Sequence, residues 1–463
     1  MSNQAASTTS IKALVATIAG CTLSSAVNAS GFALIEQSVS GMGTAYATGA
    51  AHGDDNSAMF FNPATLSLFK GTQASAGAHI VIAQSKFKDG GSTFAAALGG
   101  APLGGGDGGN GGTTGFVPHA AFSHQLDDRT WIGLTINAPF GLATDYDDSW
   151  VGRYHALESE VATVNINPAI AYKVNDRLTL GAGLSAQYLK ARLSNAIDFG
   201  SIDAAVLGGA AGTAGPGSAD GVGEVEGDSW GFGFNLGLLF QVTDATRIGM
   251  QFRSEIDHDV EGDAKFYGGG QAAVSAVILG GLGQRQFVDT NVSADVKLPA
   301  TASFSVYHQL NPEWAVVADY TWTGWNTLKE LRFDFDSNQA DAVTTFKWKN
   351  TDRFGVGTIY SPAGSAWAYR VGVAYDESPI PDAQHRTPRL PGEDRLWVAL
   401  GAGFSPSPNM RFDFGYAHLF VDDPKINKNA SIVPLNEDGF RGSLVGSYDA
   451  SVDIISAQLQ YIF

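Results

Sequence analysis

Apolar and polar residues alternate along most of the chain, from about residue 72 to the carboxy-terminus. In residues 178–188, Leu, Ala and Tyr occupy every second position, and Thr, Gly, Ser and Gln fill the positions between them. Residues 230–240 and 367–376 repeat this pattern. Because successive side chains of a β-strand point to opposite faces, a period of two predicts strands. We count about fourteen of them, which predicts an all-β fold.

The polar face of these strands carries few charged residues and consists mainly of Gly, Ser, Thr, Ala and Asn. A large secreted β-sandwich or β-helix would explain the alternation, but its solvent-facing side would carry many Lys, Glu and Asp. A membrane-spanning barrel explains both faces, because its apolar side faces lipid and its small polar side faces the lumen.

The lengths of the connections separate these two folds. Short links near residues 126–129, 175–177, 243–245, 311–313, 361–365 and 405–409 alternate with long ones near 85–115, 140–160, 191–228, 257–299, 324–342, 377–392 and 421–446. Short turns on one rim, long loops on the other and an even strand number are typical of bacterial outer-membrane barrels. We therefore predict a transmembrane antiparallel β-barrel of about fourteen strands over residues 72–463.

The first 29 residues have the composition of a secretory signal peptide. Lys12 precedes an apolar stretch over residues 13–27, and small residues end at Ala29. This order of a charged, an apolar and a small-residue region predicts cleavage after Ala29. The only cysteine, Cys21, lies in this segment, where residues 18–21 also resemble a lipoprotein cleavage box.

Residues 30–71 lack a sustained period of two. A barrel of this size encloses more space than its own inward side chains fill. We therefore expect residues 30–71 to form a plug, or hatch, inside the lumen.

Composition and charge exclude helical membrane proteins and nucleic-acid-binding proteins. No stretch approaches the roughly 18 consecutive apolar residues of a spanning helix, and mean hydropathy is only −0.02. The net charge of −18 argues against a nucleic-acid partner, which would require a basic surface.

The final strand alternates up to Phe463, an ending that resembles the strand by which such barrels are delivered to the assembly machinery. Six tryptophans near strand ends are candidates for the interfacial girdles: Trp131, Trp150, Trp314, Trp322, Trp325 and Trp397.

Few residues suggest enzyme chemistry. Residues 227–231 fit the G-x-S-x-G nucleophile pattern around Ser229, but that pattern requires a strand–turn–helix setting, and here it opens an alternating strand. The nine histidines are scattered without metal-ligand spacing. We therefore expect no enzyme activity, no cofactor and no metal site, with an outer-membrane lipid hydrolase as one alternative.

Several segments together resemble the FadL-type outer-membrane transporters of long-chain fatty acids and aromatic hydrocarbons. The segments are Ser30-Gly31-Phe32, Gly41-Met42-Gly43-Thr44-Ala45-Tyr46-Ala47, Asp54-Asp55-Asn56-Ser57-Ala58, Asn62-Pro63-Ala64, Ala138-Pro139-Phe140-Gly141-Leu142, Trp150-Val151-Gly152-Arg153-Tyr154, Leu298-Pro299-Ala300-Thr301, Trp322-Thr323-Gly324-Trp325, Val373-Ala374-Tyr375-Asp376-Glu377-Ser378-Pro379 and Gly415-Tyr416-Ala417. The resemblance implies a monomeric fourteen-stranded barrel with a hatch, in the bacterial outer membrane, that takes up hydrophobic molecules. No nucleotide-binding loop is visible, so we expect passive diffusion. A general porin for polar solutes is the other alternative.

The resemblance also implies roles for individual residues. Phe32 would lie at the ligand, in an apolar pocket. Asn62, Pro63 and Ala64 would lie beside an inward kink in a wall strand, where ligand leaves sideways into the membrane lipid. The basic residues that match those facing the fatty carboxylate are Lys190 or Arg192, and Lys349; solvated positions at the rim are the alternative for these three residues.

Overall fold

A computed structural model describes residues 31–463. The predicted signal peptide, residues 1–29, lies outside the described residues. The backbone forms twenty strand segments in one sheet. In chain order they are β1 (Thr72–Asp89), β2 (Thr114–Gln125), β3 (Thr130–Asn137), β4 (Gly141–Asp145), β5 (Glu158–Lys173), β6 (Leu178–Asp198), β7 (Asp220–Gln241), β8 (Thr246–Arg253), β9 (Ile256–Gly268), β10 (Thr290–Leu298), β11 (Thr301–Gln309), β12 (Trp314–Thr323), β13 (Glu330–Phe335), β14 (Ala342–Thr345), β15 (Thr351–Tyr360), β16 (Trp367–Asp376), β17 (Arg395–Ser407), β18 (Met410–Val421), β19 (Lys425–Asn427) and β20 (Val445–Ile462).

These segments build a closed antiparallel barrel of fourteen wall strands, as the alternation predicted. Six wall strands consist of two consecutive segments that share a neighbouring wall strand: β3 with β4, β8 with β9, β10 with β11, β12 with β13, β14 with β15, and β18 with β19. The barrel closes through β1, where Ile80 pairs with Phe116 of β2 on one side and with Ile455 of β20 on the other. Closure pairs the first and last wall strands, so neither end of the sheet is left as an open edge.

The two faces of the wall differ as the sequence predicted. Leu184 and Phe232 point outward and are 67% and 73% exposed. Their neighbours Ser185, Gln187 and Asn235 point inward and are buried. An outward apolar face suits the hydrocarbon interior of a membrane, and the inward polar face supplies hydrogen bonds to whatever fills the lumen.

The long loops are shorter than predicted because strand pairing continues beyond the apolar band. The predicted link over residues 191–228 is reduced to 199–219, since β6 continues to Asp198 and β7 begins at Asp220. Where this extension begins, Lys190 of β6 forms an ion pair with Glu226 of β7, with 2.7 Å between nitrogen and oxygen. Because charged side chains lack the alternation of apolar residues, the sequence does not show that strand pairing continues here.

The predicted tryptophan girdle is largely wrong. Trp131, Trp150, Trp325 and Trp397 are buried, whereas Trp314 faces outward with 38% of its surface exposed. Trp131 and Trp397 lie near the starts of β3 and β17 but on the inward face, since a shift of one residue moves a side chain to the other face. Trp150 and Trp325 lie in connections between strands.

The helices lie in the hatch and the loops. The α-helices are Val39–Met42, Phe199–Ile202 and Gln271–Leu282; the 3-10 helices are Asn56–Phe60, Pro63–Leu68, Ala96–Leu98 and Trp325–Thr327; Asp203–Leu207 is a π-helix. Among the described residues, no helix is long and apolar enough to cross a lipid bilayer.

Residues 31–71, the described part of the hatch, lie inside the barrel and are mostly buried. Ion pairs attach the hatch to the wall: Arg370 lies 2.7 Å from Asp54, and Arg411 lies 3.6 Å from the same carboxylate. The hatch therefore rests on inward polar side chains of the wall, which explains why its own sequence needs no strand periodicity.

Candidate ligand-binding cavity and wall opening

Phe32 lies at the centre of an aromatic cluster inside the barrel. Its ring centroid is 5.2 Å from that of Trp325, 5.8 Å from Phe140 and 6.2 Å from Trp348. Gly31 precedes it with φ of +62°, and a Cβ at this position would lie 2.6 Å from the Trp325 ring. Glycine is therefore required for the chain to approach Trp325 and to place Phe32 in the cluster.

The cluster borders a cavity of about 80 Å³, which we call the Phe32 cavity. Ligand sites are lined mainly by apolar side chains, with a few polar groups that fix orientation. The lining fits this description, since every lining residue except one is apolar: Phe32, Leu142, Val161, Leu189, Ala191, Leu193, Val260, Ala294, Val296, Leu328, Leu331, Phe333, Phe346 and Leu390, together with Arg389.

Arg389 is the one charged residue of the lining. It reaches the cavity from the loop before β17 and donates hydrogen bonds to the Glu158 carbonyl at 3.0 Å and to Ser159 Oγ at 2.9 Å. Among the described residues no carboxylate lies within ion-pairing distance of it. Burial, and next the nearby Arg441, lower the pKa of the guanidinium to about 9, so it keeps its charge at neutral pH. A half-buried cation at the edge of an apolar cavity suits a carboxylate with a long alkyl chain.

The predicted basic ligand contacts do not reach this cavity, which is a correction to the sequence analysis. Lys190 and Arg192 lie on the outer face of β6, where Lys190 pairs with Glu226, and Arg192 with the Glu158 and Glu224 carboxylates. Lys349 is exposed. In each case the residue next to the predicted one lines the Phe32 cavity or its aromatic cluster: Leu189, Ala191 and Trp348. Neighbouring residues of a strand point to opposite faces, so Lys190 and Arg192 lie on the face away from the cavity that their neighbours line.

The wall strand formed by β3 and β4 leaves the barrel ladder at residues 138–140. On the side of the short turns, Ile136 of β3 pairs with Ala120 of β2. Toward the long loops, the next bridge between these two parts of the wall joins Gly112 and Thr144. Within the described residues, the wall between those two pairings has no ladder hydrogen bonds across β2 and the third wall strand. We call this interruption of the hydrogen-bond ladder the wall opening.

Hatch residues form backbone hydrogen bonds with the wall residues that lack a ladder partner there. The amide of Leu34 donates to the Pro139 carbonyl at 2.8 Å, and the amide of Gly141 donates to the Phe32 carbonyl at 2.9 Å. The same short stretch of hatch therefore closes the wall opening and carries Phe32 into the cavity.

Asn62, Pro63 and Ala64 begin the 3-10 helix Pro63–Leu68. The Asn62 side chain caps this helix by accepting from the Ala64 amide at 2.9 Å, and Pro63 fits the first position because its missing N–H would have no partner. The turn packs on glycines of the wall: a Cβ at Gly237 would lie 1.9 Å from Asn62 Oδ1, and one at Gly181 would lie 2.3 Å from the Ala64 nitrogen. These three residues contact β6 and β7, while residues 32–37 dock on the wall opening.

The residues considered for catalysis do not form an active site in the described part of the chain. Ser229 lies within β7, paired with Leu189 of β6, so the strand–turn–helix setting of a nucleophile is missing. Across residues 31–463 there is no group of three or more His, Cys, Asp and Glu side chains arranged to hold a metal ion.

The sequence analysis missed Arg389, Trp325 and Trp348 as cavity residues. Arg389 lies in a long loop, and no local pattern marks it as inward. Trp325 was assigned to a girdle, although its motif Trp322-Thr323-Gly324-Trp325 interrupts the alternation between β12 and β13. A break in alternation is the signal that a side chain has left the wall.

Fold and site together define a class of protein: a closed transmembrane barrel, blocked by its own amino-terminal segment, that encloses an apolar cavity beside an opening in its wall. The family model for "Outer membrane protein transport protein (OMPP1/FadL/TodX)" matches residues 20–463, and the chain belongs to this family. It is therefore a transport protein of the bacterial outer membrane.

Two named relatives are similar over most of their length. The long-chain fatty acid transport protein of Escherichia coli O6:H1 is 29% identical over 407 residues, which cover 84% of this chain and 86% of that protein. Outer membrane protein P1 of Haemophilus influenzae is 29% identical over 427 residues, covering 85% and 86%.

Solved structures agree in fold. The crystal structure of a Pseudomonas aeruginosa FadL homologue superposes with a TM-score of 0.83 at 25% identity, covering 94% of this chain and 100% of that one. The Ralstonia pickettii toluene transporter TbuX gives a TM-score of 0.64 at 22% identity, covering 94% and 99%, and shares the architecture.

Proposed function

We propose that this protein mediates passive uptake of long-chain fatty acids or related hydrophobic compounds from outside the cell. The observation that carries the proposal is the Phe32 cavity, an apolar space with the single cation Arg389, bordered by the hatch residues that also dock on the wall opening. The name of the Escherichia coli relative supports a fatty acid as ligand, and the name of the Ralstonia structure supports a small aromatic hydrocarbon as the alternative ligand of the same kind.

The route we propose is lateral. A ligand enters from the long-loop side, occupies the Phe32 cavity, and leaves through the break at residues 138–140 into the membrane lipid when the hatch moves. Each buried methylene contributes about 0.8 kcal/mol. An axial path through a hydrated lumen would forfeit that contribution along the whole chain, whereas the lateral path keeps the alkyl chain in apolar surroundings.

Within this function Phe32 is the ligand contact of the hatch, and Arg389 recognises the carboxylate. A carboxylate that bonds to this half-buried guanidinium gains a charge-assisted hydrogen bond, which is about twice as strong as a neutral one. A ligand without a charge would gain only from the apolar lining.

The proposed segments are a cleaved signal peptide (1–29), a hatch (30–71) and the barrel (72–463). We infer that the strand ending in Phe463 is read by the barrel-assembly machinery; Phe463 is 72% exposed at the end of the barrel. A closed wall with an outward apolar belt supports a monomer as the transporting unit. No step of the proposed uptake requires an enzyme activity or a nucleic-acid partner.

Uptake of radiolabelled oleate by cells that lack their own transporter and express this protein tests the proposal. We expect uptake to rise well above that of cells with the empty vector, and purified protein in liposomes to give no sugar-dependent swelling. Swelling without oleate or toluene uptake would identify a general porin and contradict the proposal.

A further inference from the structure

Two histidines lie together on the inner face of the wall, and neither of them lines the Phe32 cavity. His79 of β1 and His119 of β2 are distant in sequence, but the β1–β2 ladder brings their ring centroids to 5.2 Å from each other. His79 is fully buried, and His119 is 4% exposed. Gly77 pairs with His119, and a Cβ at Gly77 would lie 2.7 Å from that ring, so the glycine leaves the space that the ring occupies. We call these two residues the histidine pair.

Hydrogen bonds fix which nitrogen of His119 carries the hydrogen. The Oε1 atom of Gln458 in β20 accepts from the Val39 amide of the hatch at 3.3 Å. The same oxygen lies 2.8 Å from His119 Nε2, which must therefore carry a hydrogen and donate it. His119 Nδ1 is left with a free lone pair. It is buried and has no hydrogen-bond partner among the described residues.

His79 is oriented in the same way by a hydroxyl. Ser456 of β20 donates to the Met42 thioether of the hatch at 3.4 Å. A hydroxyl has a single hydrogen, so His79 Nδ1, which lies 2.6 Å from this oxygen, must donate to it. His79 Nε2 then holds the free lone pair, and it too is buried without a partner in the part of the chain that the structure describes.

Two such imidazoles have the arrangement of metal ligands. A histidine that binds a metal through one ring nitrogen almost always donates the other N–H to an acceptor of the protein, which fixes the ring. Both members of the histidine pair do this. At metal–nitrogen distances of about 2 Å, two imidazoles on one ion have centroids roughly 5–6 Å apart. The observed 5.2 Å corresponds to a bent arrangement, which leaves room for a third ligand.

The charge around the histidine pair favours a monovalent ion. Asp55 of the hatch is fully buried and interacts electrostatically with His119. Asp55 has no ion-pair partner within the described chain. The neighbouring Arg411 pairs instead with Asp54 and Asp413. Neutral imidazoles add no charge, so one positive charge balances Asp55. Because the cost of burying an ion rises with its charge, a monovalent ion fits this place better than a divalent one.

We propose that the histidine pair binds a copper(I) ion, with His79 Nε2 and His119 Nδ1 as ligands and the Met42 thioether in the third position. Imidazole suits several transition metals, whereas a thioether selects soft copper(I). The ion joins the hatch helix Val39–Met42 to β1 and β2. The expectation of no metal site came from spacing along the sequence, which does not show residues that only strand pairing brings together.

The affinity of the full-length exported protein for copper(I) tests the inference. Protein in nanodiscs, purified without a histidine tag, is titrated with copper(I) in ascorbate against the chelator bicinchoninate. The wild type should bind one equivalent, and the double variant His79→Gln/His119→Gln should bind at least about 100-fold more weakly. The matched control is His124→Gln/His308→Gln, because each of these rings also contacts a threonine hydroxyl but is not stacked beside a second histidine. The control should bind copper(I) like the wild type.

X-ray absorption at the copper edge of the loaded wild type identifies the ligands without any substitution. We expect scattering from two imidazoles and one sulfur. Met42→Leu should lose the sulfur signal and bind copper(I) about tenfold more weakly.

Copper without imidazole scattering, or equal binding by the wild type and the double histidine variant, would overturn the site. Failure of the wild type to bind copper(I) more tightly than zinc would overturn the choice of a monovalent ion. An unchanged sulfur signal in Met42→Leu would overturn the role of Met42. None of these outcomes affects the proposed uptake of hydrophobic molecules, which uses neither histidine.

Discussion

Replacing Arg389 by methionine separates recognition of the carboxylate from recognition of the alkyl chain. The substitution keeps an unbranched apolar stem against Leu390 and the cavity but removes the only charge of the lining. A hydrogen bond to a charged group contributes about 1.5–3 kcal/mol. At 1.4 kcal/mol per factor of ten, affinity for a fatty acid should fall roughly 10- to 100-fold. Affinity for the matched alcohol should change less than about threefold, because its apolar contacts are unchanged.

Equilibrium binding of radiolabelled palmitate and hexadecanol to protein in nanodiscs, corrected for empty nanodiscs, measures this difference. Lys190→Met is the matched control, because Lys190 lies on the outer face and pairs with Glu226. The control should bind both ligands like the wild type. Equal losses for acid and alcohol in Arg389→Met, or a loss for the acid in Lys190→Met instead, would refute the assignment of Arg389.

Three further perturbations test the hatch and the absence of catalysis. Gly237→Val should displace Asn62, since a Cβ there would lie 1.9 Å from its side-chain oxygen, and should raise ion conductance in planar bilayers while the barrel still folds. Gly280→Val is the control, because this position has open space around it. Unchanged conductance in Gly237→Val would contradict the hatch packing. Deleting residues 30–64 should abolish oleate uptake without preventing membrane insertion, measured by transport and by the heat-dependent shift of the folded barrel on gels; uptake that survives would rule out the hatch mechanism. Ser229→Ala should leave oleate uptake unchanged and reveal no esterase loss, because Ser229 lies in the β6–β7 ladder; a lipid hydrolase activity lost in this variant would favour the enzyme alternative.

The sequence predicted the barrel because each wall residue faces either lipid or lumen, and this requirement acts locally at every second position. The short turns followed from the same pattern, as with residues 243–245 between β7 and β8. The lengths of the long loops could not be predicted from this pattern. The β6–β7 ladder, for example, continues beyond the apolar band with charged side chains such as Lys190 and Glu226.

The candidate site was predicted less completely because it depends on contacts that are distant in sequence. Phe32 was identified from its motif, and the structure places it in the aromatic cluster with Trp325. Arg389 arrives from a loop whose path is set by hydrogen bonds to residues more than 200 positions away, such as the Glu158 carbonyl. Pro118 of β2 was one overlooked signal: a residue without an N–H in a strand indicates an unpaired edge, and it lies beside the wall opening.

For a ligand to pass sideways, the hatch must leave the wall opening. Ala33 of the hatch and Phe140 of the wall are antiparallel bridge partners, so cysteines at both positions lie close enough to be joined. The only native cysteine, Cys21, lies in the predicted signal peptide. The decisive measurement is oleate uptake by Ala33→Cys/Phe140→Cys under oxidising conditions and after reduction, with each single variant as control.

We expect the oxidised double variant to take up no more oleate than cells without the protein, and reduction to restore the rate of the single variants. Full uptake in the oxidised state, with the disulfide verified by mass spectrometry, would contradict lateral passage past the hatch.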